Sequence, residues 1–320
     1  MATSDVYIGR REAVGVGIES TPGTAVAPQI WVRWLEQSIQ NKTEVLENES
    51  AIGVVDRVEG SAVAYKWAEG SIEGKITIQS FGFFLLGMLG SVSTGSPTGG
   101  VYPHTFTMNQ SSVPKTLTFA RSGPLVSERH SYGTIESLEI TAETGAYVMM
   151  TADVKARVGA SSSETVAILD EKEFVPKHVV LKLAATTGDL AAASAVKARS
   201  VTLRLERPSE KFDPLGTETA PEFDRGAYEV SGEFVVRMTD TQYETDFLAN
   251  TIKAMSISLT NSGEGIVFTG SKVRYRELET TRDRDNIVTA TVQFFCEYDT
   301  SVSTSLTTVL SNTRATYVAA

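Results

Sequence analysis

The sequence predicts an α+β fold with β structure in the majority, and three observations predict it. Apolar residues recur with a period of two over many short segments. Two other segments break that rhythm with helical signals. The order of strands and helices then occurs twice along the 320 residues.

Taken in order, the first strand lies around Trp34–Gln40, followed by a long polar stretch, Asn41–Glu69. Ile72, Gly74, Ile76 and Ile78 then share one face of a strand, with Glu73, Lys75, Thr77 and Gln79 on the other. Such alternation marks a half-buried antiparallel strand. Phe81–Leu89 reads as a short helix, with Ser80 as N-cap and Gly90 just past its end. Ser91–Val113 is rich in Gly, Ser, Thr and Pro and predicts an exposed excursion. Alternation returns at Val148–Val158. The boundary between the two halves falls near Gly159–Pro176, where the rhythm fails.

The second half repeats the order. The strand Val201–Glu206 precedes the polar stretch Pro208–Gly226 and the alternating run Tyr228–Met238. Asp240–Ala254 carries Thr241 and Glu244 at capping-box spacing and predicts the second helix. Met255–Leu259 and Val288–Tyr298 complete the set. Ile72-Glu73-Gly74 aligns with Val230-Ser231-Gly232, and Leu138-Glu139 aligns with Leu278-Glu279. The organisation expected is an N-terminal arm over 1–30, a first module over 31–160 with loops 41–69 and 91–113, and a linker over 161–176. A second module over 177–298 with loop 208–226, and a C-terminal arm over 299–320, complete it. The two ends are polar and are expected to order only against a neighbour.

Composition excludes several functions. The net charge is −10, so a basic surface that wraps nucleic acid is not expected. One cysteine, Cys296, leaves neither an intrachain disulfide nor a thiolate zinc site, and it should be an inert buried thiol. The most apolar run, Phe81–Leu89, is far below the ~18–20 residues needed to cross a bilayer, and no targeting segment is visible. The chain is expected to be made, and to stay or assemble, in a cytoplasm.

Chemistry-bearing motifs are few. Gly15 and Gly17 form G-x-G, but Ser20 stands where a dinucleotide fingerprint needs glycine, so a bend is the better reading. Arg282-Asp283-Arg284-Asp285-Asn286 lacks the glycine and distal glutamate of a calcium loop and reads as a charged hairpin turn. His104, in the excursion, and His130, in a polar turn, have no neighbouring carboxylate or thiol at ligand spacing, and His178 opens a predicted strand and reads as structural. No catalytic residue, cofactor or metal is assigned, and the chain is not expected to be an enzyme. The acidic run Glu44, Glu47, Glu49, Asp56 and Glu59, set against Lys42 and Arg57, lies in a loop long enough to reach another subunit. Asp213, Glu218 and Asp224 lie in its counterpart.

The stretch Gly15-Val16-Gly17-Ile18-Glu19-Ser20-Thr21-Pro22-Gly23-Thr24-Ala25 resembles the N-terminal signature of the tail tube proteins of long non-contractile-tailed bacteriophages. Glu44 to Ser50, Gly70-Ser71-Ile72-Glu73-Gly74 and Leu85 to Gly90 are similar to later signatures of that family. The resemblance implies a duplicated, mainly β tube fold: barrel-forming antiparallel sheets with one short flanking helix per repeat. It also implies a structural virion protein, made in the host bacterial cytoplasm, whose stacked rings form a conduit for genome ejection. With two modules per chain, three chains would make a pseudo-sixfold ring. Its implied partners are itself and other tail proteins (tape measure, terminator, distal tail), with DNA passing unbound and no membrane. On this reading Glu44, Glu47, Glu49, Asp56, Arg57, Asp213, Glu218 and Asp224 make inter-ring contacts. Glu73, Thr77, Gln79, Asp153, Glu233 and Gln293 face the lumen. Another tail or neck completion protein, or a non-viral binding module, remains the alternative.

Overall fold

The computed structural model describes residues 6–319 except 112–114, 220, 283, 285 and 286. Part of the expected charged turn at 282–286 and of the excursion at 91–113 therefore lies outside the described residues. The chain is mostly antiparallel β. Its strands are β1 Ala13–Ile18, β2 Ile30–Val32, β3 Trp34–Gln37, β4 Gln40–Asn48, β5 Gly60–Lys75, β6 Gly90–Thr94, β7 Tyr102–Met108, β8 Leu117–Ser122, β9 Ser127–Glu143, β10 Met149–Ala156 and β11 Ala160–Ser161. They continue with β12 Val179–Ala184, β13 Ala195–Val196, β14 Ala198–Glu206, β15 Ser209–Phe212, β16 Glu222–Arg225, β17 Glu229–Arg237, β18 Lys253–Asn261, β19 Glu264–Thr281, β20 Thr289–Cys296 and β21 Thr307–Asn312. Two helices interrupt them, α1 Phe81–Leu89 and α2 Gln242–Leu248.

Two long strands organise everything else. The last part of β9 pairs with β10 on one side and β14 on the other, while its first part pairs with β8. The last part of β19 pairs with β20, while its first part pairs with β18 and β21. Each therefore belongs to two layers. One layer runs β3/β4–β5–β10–β9–β14–β17–β20–β19 across both halves of the chain. The core lies between this sheet and the pieces β2–β1–β8 and β12–β18–β19–β21–β7, with α1 packed inside.

The pairings recur with the same irregularities. Ser137 faces Asp153, Glu136 is skipped, and Ile135 faces Val154; Glu277 faces Gln293, Arg276 is skipped, and Tyr275 faces Phe294. Gly70 then lies opposite Val154, as Gly232 lies opposite Phe294. The glycine that matches Gly232 is therefore Gly70, not the expected Gly74. Both glycines sit on one face of one strand, so periodicity could not separate them. A Cβ on Gly70 would stand 2.5 Å from Ser38 O, and one on Gly232 2.3 Å from Thr202 O.

Several expected loops are strands. Asn41–Glu69 is mostly the hairpin β4–β5, and only 49–59 lie outside strands. Both of its faces are wet, so it carries no apolar alternation to read. Ser91–Val113 contributes β6 and β7, with His104 and Phe106 buried. Pro208–Gly226 contains the hairpin β15–β16. The ends are not free arms: β1 lies between β2 and β8, and β21 lies between β19 and β7. The linker packs as well, burying Phe174 and pairing Glu173 with Thr77.

Both helix starts differ from expectation. Ser80 does not cap α1 with its side chain; it donates that hydroxyl to Glu171 of the linker. Glu171 Oε2 also accepts the N–H groups of Gln79 and Ser80, each at 2.7 Å, and so does the capping from a distance. Gly90 takes the left-handed conformation expected of it, at φ 81°. Thr241 makes no side-chain cap at α2; Asp240 Oδ1 accepts Gln242 N–H at 2.9 Å instead. That helix stops at Leu248, short of Ala254.

The N-terminal motif is structural. Gly15 and Gly17 let residues 26–28 cross close to β1, where a Cβ would stand 2.7 Å from Pro28 Cβ and from Ala27 O. Glu19 is buried and accepts four bonds, from Gly23 N–H (2.7 Å), Thr116 Oγ1 (2.6 Å), Thr118 Oγ1 (2.9 Å) and Tyr132 N–H (2.9 Å). It ties the turn after β1 to β8 and to the bend of β9, where Tyr132 has φ 55°. Replacing Glu19 by Ala should cost about 2–4 kcal/mol, because buried donors lose a charged acceptor. Urea unfolding followed by circular dichroism measures it, and an unchanged midpoint would refute the clamp.

Candidate functional site

The site is a surface, built by the eight-strand layer and the hairpins at its end. Its inner face carries Ile72, Ala152, Leu138, Leu203, Phe234 and Val292, all buried. The opposite side chains form an open face: Glu73 on β5, Asp153 on β10, Glu139 on β9, Arg204 on β14, Glu233 on β17 and Gln293 on β20. Register sets the neighbours. Glu233 lies between Thr202 and Gln293, and Glu73 lies between Glu36 and Thr151. Asp153 accepts a 2.6 Å bond from Ser137. Arg204 Nε donates to Glu139 Oε2 at 2.6 Å, which raises the Arg204 pKa.

Of the residues expected on this wet face, the structure brings Glu73, Asp153, Glu233 and Gln293 together. Thr77 and Gln79 do not belong to it. β5 ends at Lys75, beyond which Thr77 is buried against the linker and Gln79 lies in the turn just before α1. Three cations near this face have partners of their own. Lys75 Nζ is 3.1 Å from Glu173 and 3.7 Å from the centre of the Tyr147 ring. Lys155 is 2.9 Å from Glu136. Arg157 lies over Tyr132 and donates to Pro221 O at 3.2 Å.

The acidic residues divide between two hairpins that lean on each other. Glu44 and Glu47 lie on β4, while Glu49 and Arg57 close the tip with a 2.6 Å ion pair near Asp56. Lys66 meets Glu218 at 2.9 Å, and Lys211 meets Asp213 at 2.8 Å and Glu44 at 3.5 Å. Lys211 also sits 4.1 Å from the Trp67 ring centre. Asp224 faces Glu210 across β15–β16. Ile52, Val54, Val55 and Val58 remain exposed at the tip.

The second hairpin is anchored by a residue that sequence reasoning missed. Arg225 donates to Gly87 O at 2.9 Å, at the C-terminal end of α1, and to Ile135 O beside the β9 bulge. Burial there pushes its pKa down to about 10. Nothing in the local pattern singles it out among charged loop residues. Glu139 and Arg204 were also missed, although the phase of their strands places both on the wet face.

The histidines are structural. His104 is buried, not in an exposed excursion; its Nε2–H donates to Arg314 O at 2.9 Å, which leaves Nδ1 to accept from Thr94 Oγ1 at 2.8 Å. His130 is buried on β9, 3.3 Å from Glu128. His178 Nδ1 accepts Val175 N–H. Burial raises the Cys296 thiol to about 12. Among the described residues no helix is long and apolar enough to cross a membrane.

A protein-family model described as phage tail tube protein matches residues 9–294. The chain belongs to that family. No curated protein matches it. A tail tube protein is a structural component of the virion tail that assembles with its own kind. Replacing Arg225 by Met in this tail tube protein should undock β15–β16 and speed proteolytic cleavage within 213–219 several-fold. Limited proteolysis with mass spectrometry checks it, and an unchanged cleavage rate would remove the anchor role.

Proposed function

We propose that this chain is two like modules, 31–160 and 177–298, and that three chains close a ring of six modules. The rings stack into the tube of a long non-contractile tail, and the genome leaves through the bore. The observation that carries this reading is the eight-strand layer, which among the described residues ends in two borders with no further strand beside them, one on β3–β4 and one on 274–281 of β19. Exposed borders are a hazard to a monomer and a joint for a polymer.

The open face with Glu73, Asp153, Glu233 and Gln293 lines the bore. Duplex DNA carries one negative charge per ~1.7 Å of axis, so an acid-rich wall repels it and leaves it free to slide. The β4–β5 hairpin reaches the next ring. Its apolar tip and the acids Glu44, Glu47, Glu49 and Asp56 with Arg57 make the contact, and Asp213, Glu218 and Asp224 support its base. Tape-measure, terminator and distal tail proteins meet the tube at its axis and ends. No cofactor or metal takes part.

Deleting Asn48–Arg57 should leave folded rings that fail to stack. Electron microscopy and native mass spectrometry test this together. Rings with the mass of three chains, and no tubes, are the expected result. Long tubes from the deleted protein would remove the hairpin from stacking, and a ring of six chains would remove the trimer. A chain that stays monomeric with its tail partners and joins only a tube end would favour a completion protein.

A further inference from the structure

We propose that the β19 border of one chain pairs antiparallel with the β3–β4 border of a second copy, so that Ser38 faces Thr281, Gln40 faces Glu279 and Lys42 faces Glu277. This rests on the self-assembly reading above and adds which borders meet and in what register.

The chain supplies its own template. Within one molecule β9 pairs with β14, placing Thr141 opposite Thr202, Glu139 opposite Arg204 and Ser137 opposite Glu206. β19 repeats β9 residue for residue against its neighbour strand: Thr141 faces Met149 as Thr281 faces Thr289, and the skipped residues Glu136 and Arg276 correspond. β3–β4 repeats β14 in the same way. Each skips one residue, Leu35 or Arg199, after which Ile39 crosses Gly70 as Leu203 crosses Gly232. Laying one register on the other puts Ser38, Gln40 and Lys42 where Thr202, Arg204 and Glu206 stand. It puts Thr281, Glu279 and Glu277 where Thr141, Glu139 and Ser137 stand.

Both borders carry marks of a missing strand. Among the described residues β20 is the only strand beside 274–281, and β5 the only one beside β3 and β4. Leu278 is only partly buried, whereas its counterpart Leu138, covered on both sides, is fully buried. Ser38 turns its N–H to Ser71 O, so Ile39 turns outward. Its N–H is held by Gln37 Oε1 and its carbonyl by Arg121 Nη1, both at 3.2 Å. These side chains stand where a strand would bond. Charge selects the partner: among the described residues Lys42 is ion-paired with Glu69 alone, at 3.8 Å, and Glu277 offers it a second carboxylate. Two β19 borders facing each other would bring Glu277 and Glu279 against acids, which is unfavourable. The joint is therefore head-to-tail and can close a ring.

The test uses the full chain with Ser38→Cys and Thr281→Cys together; the native Cys296 is buried. Mild oxidation of assembled material should give covalent multimers on a non-reducing gel. Gln37→Cys with Thr281→Cys, whose side chains leave opposite faces, should give none. In parallel, Lys42→Glu should raise the concentration needed for half-maximal assembly tenfold or more, and adding Glu277→Lys should restore it. Normal assembly with no Ser38–Thr281 cross-link, or cross-linking of the control pair instead, overturns this register and leaves the tube reading standing. Unmodified protein that stays monomeric at high concentration overturns both.

Discussion

The β9–β14 pairing is the constraint on which the rest of this molecule depends. It joins two half-sheets into one layer, and the Arg204–Glu139 pair bridges the joint on its open face. A partly exposed ion pair contributes little alone, about 0–1 kcal/mol. The ladder, with Leu203 against Ile140 and Leu205 against Leu138 on its covered side, is what fixes register: a one-residue slip would turn these side chains out and Arg204 in. Because the joint lies inside one chain, its geometry is always formed at unit stoichiometry, whatever the protein concentration.

Distant carboxylates finish what local sequence leaves undone. Glu19 holds the bend of β9 and Glu171 holds the first turn of α1, each from another part of the chain. α1 has no acid or base in its end turns and is buried throughout, so it could not exist as an isolated helix. Its ends are completed by Glu171 at one side and by Arg225 at the other.

Much of the architecture was legible in the sequence because half-buried strands advertise themselves. The runs through Ile72, Ala152, Val230 and Val292 alternate in the sequence and in the sheet alike. The wet-face residues Glu73, Asp153, Glu233 and Gln293 follow from the same phase. The β4–β5 hairpin was not legible, because neither of its faces is buried and a doubly wet strand has the composition of a loop. β1, β7 and β21 were missed for another reason: they are short, and their Gly, Ser and Thr content matches that of a linker. Thr77 and Gln79 kept the alternating phase past the point where the strand had ended, a limit that only the contact with the linker sets.

The last described segment closes the molecule. Tyr317 lies fully buried among Phe83, His104 and Phe106, and its hydroxyl donates to Gln79 O at 2.7 Å. Its ring lies so close to Gly82 that no other residue could occupy that position unchanged. The first half of the chain therefore cannot shield this helix unaided: part of its shelter arrives from a stretch far downstream.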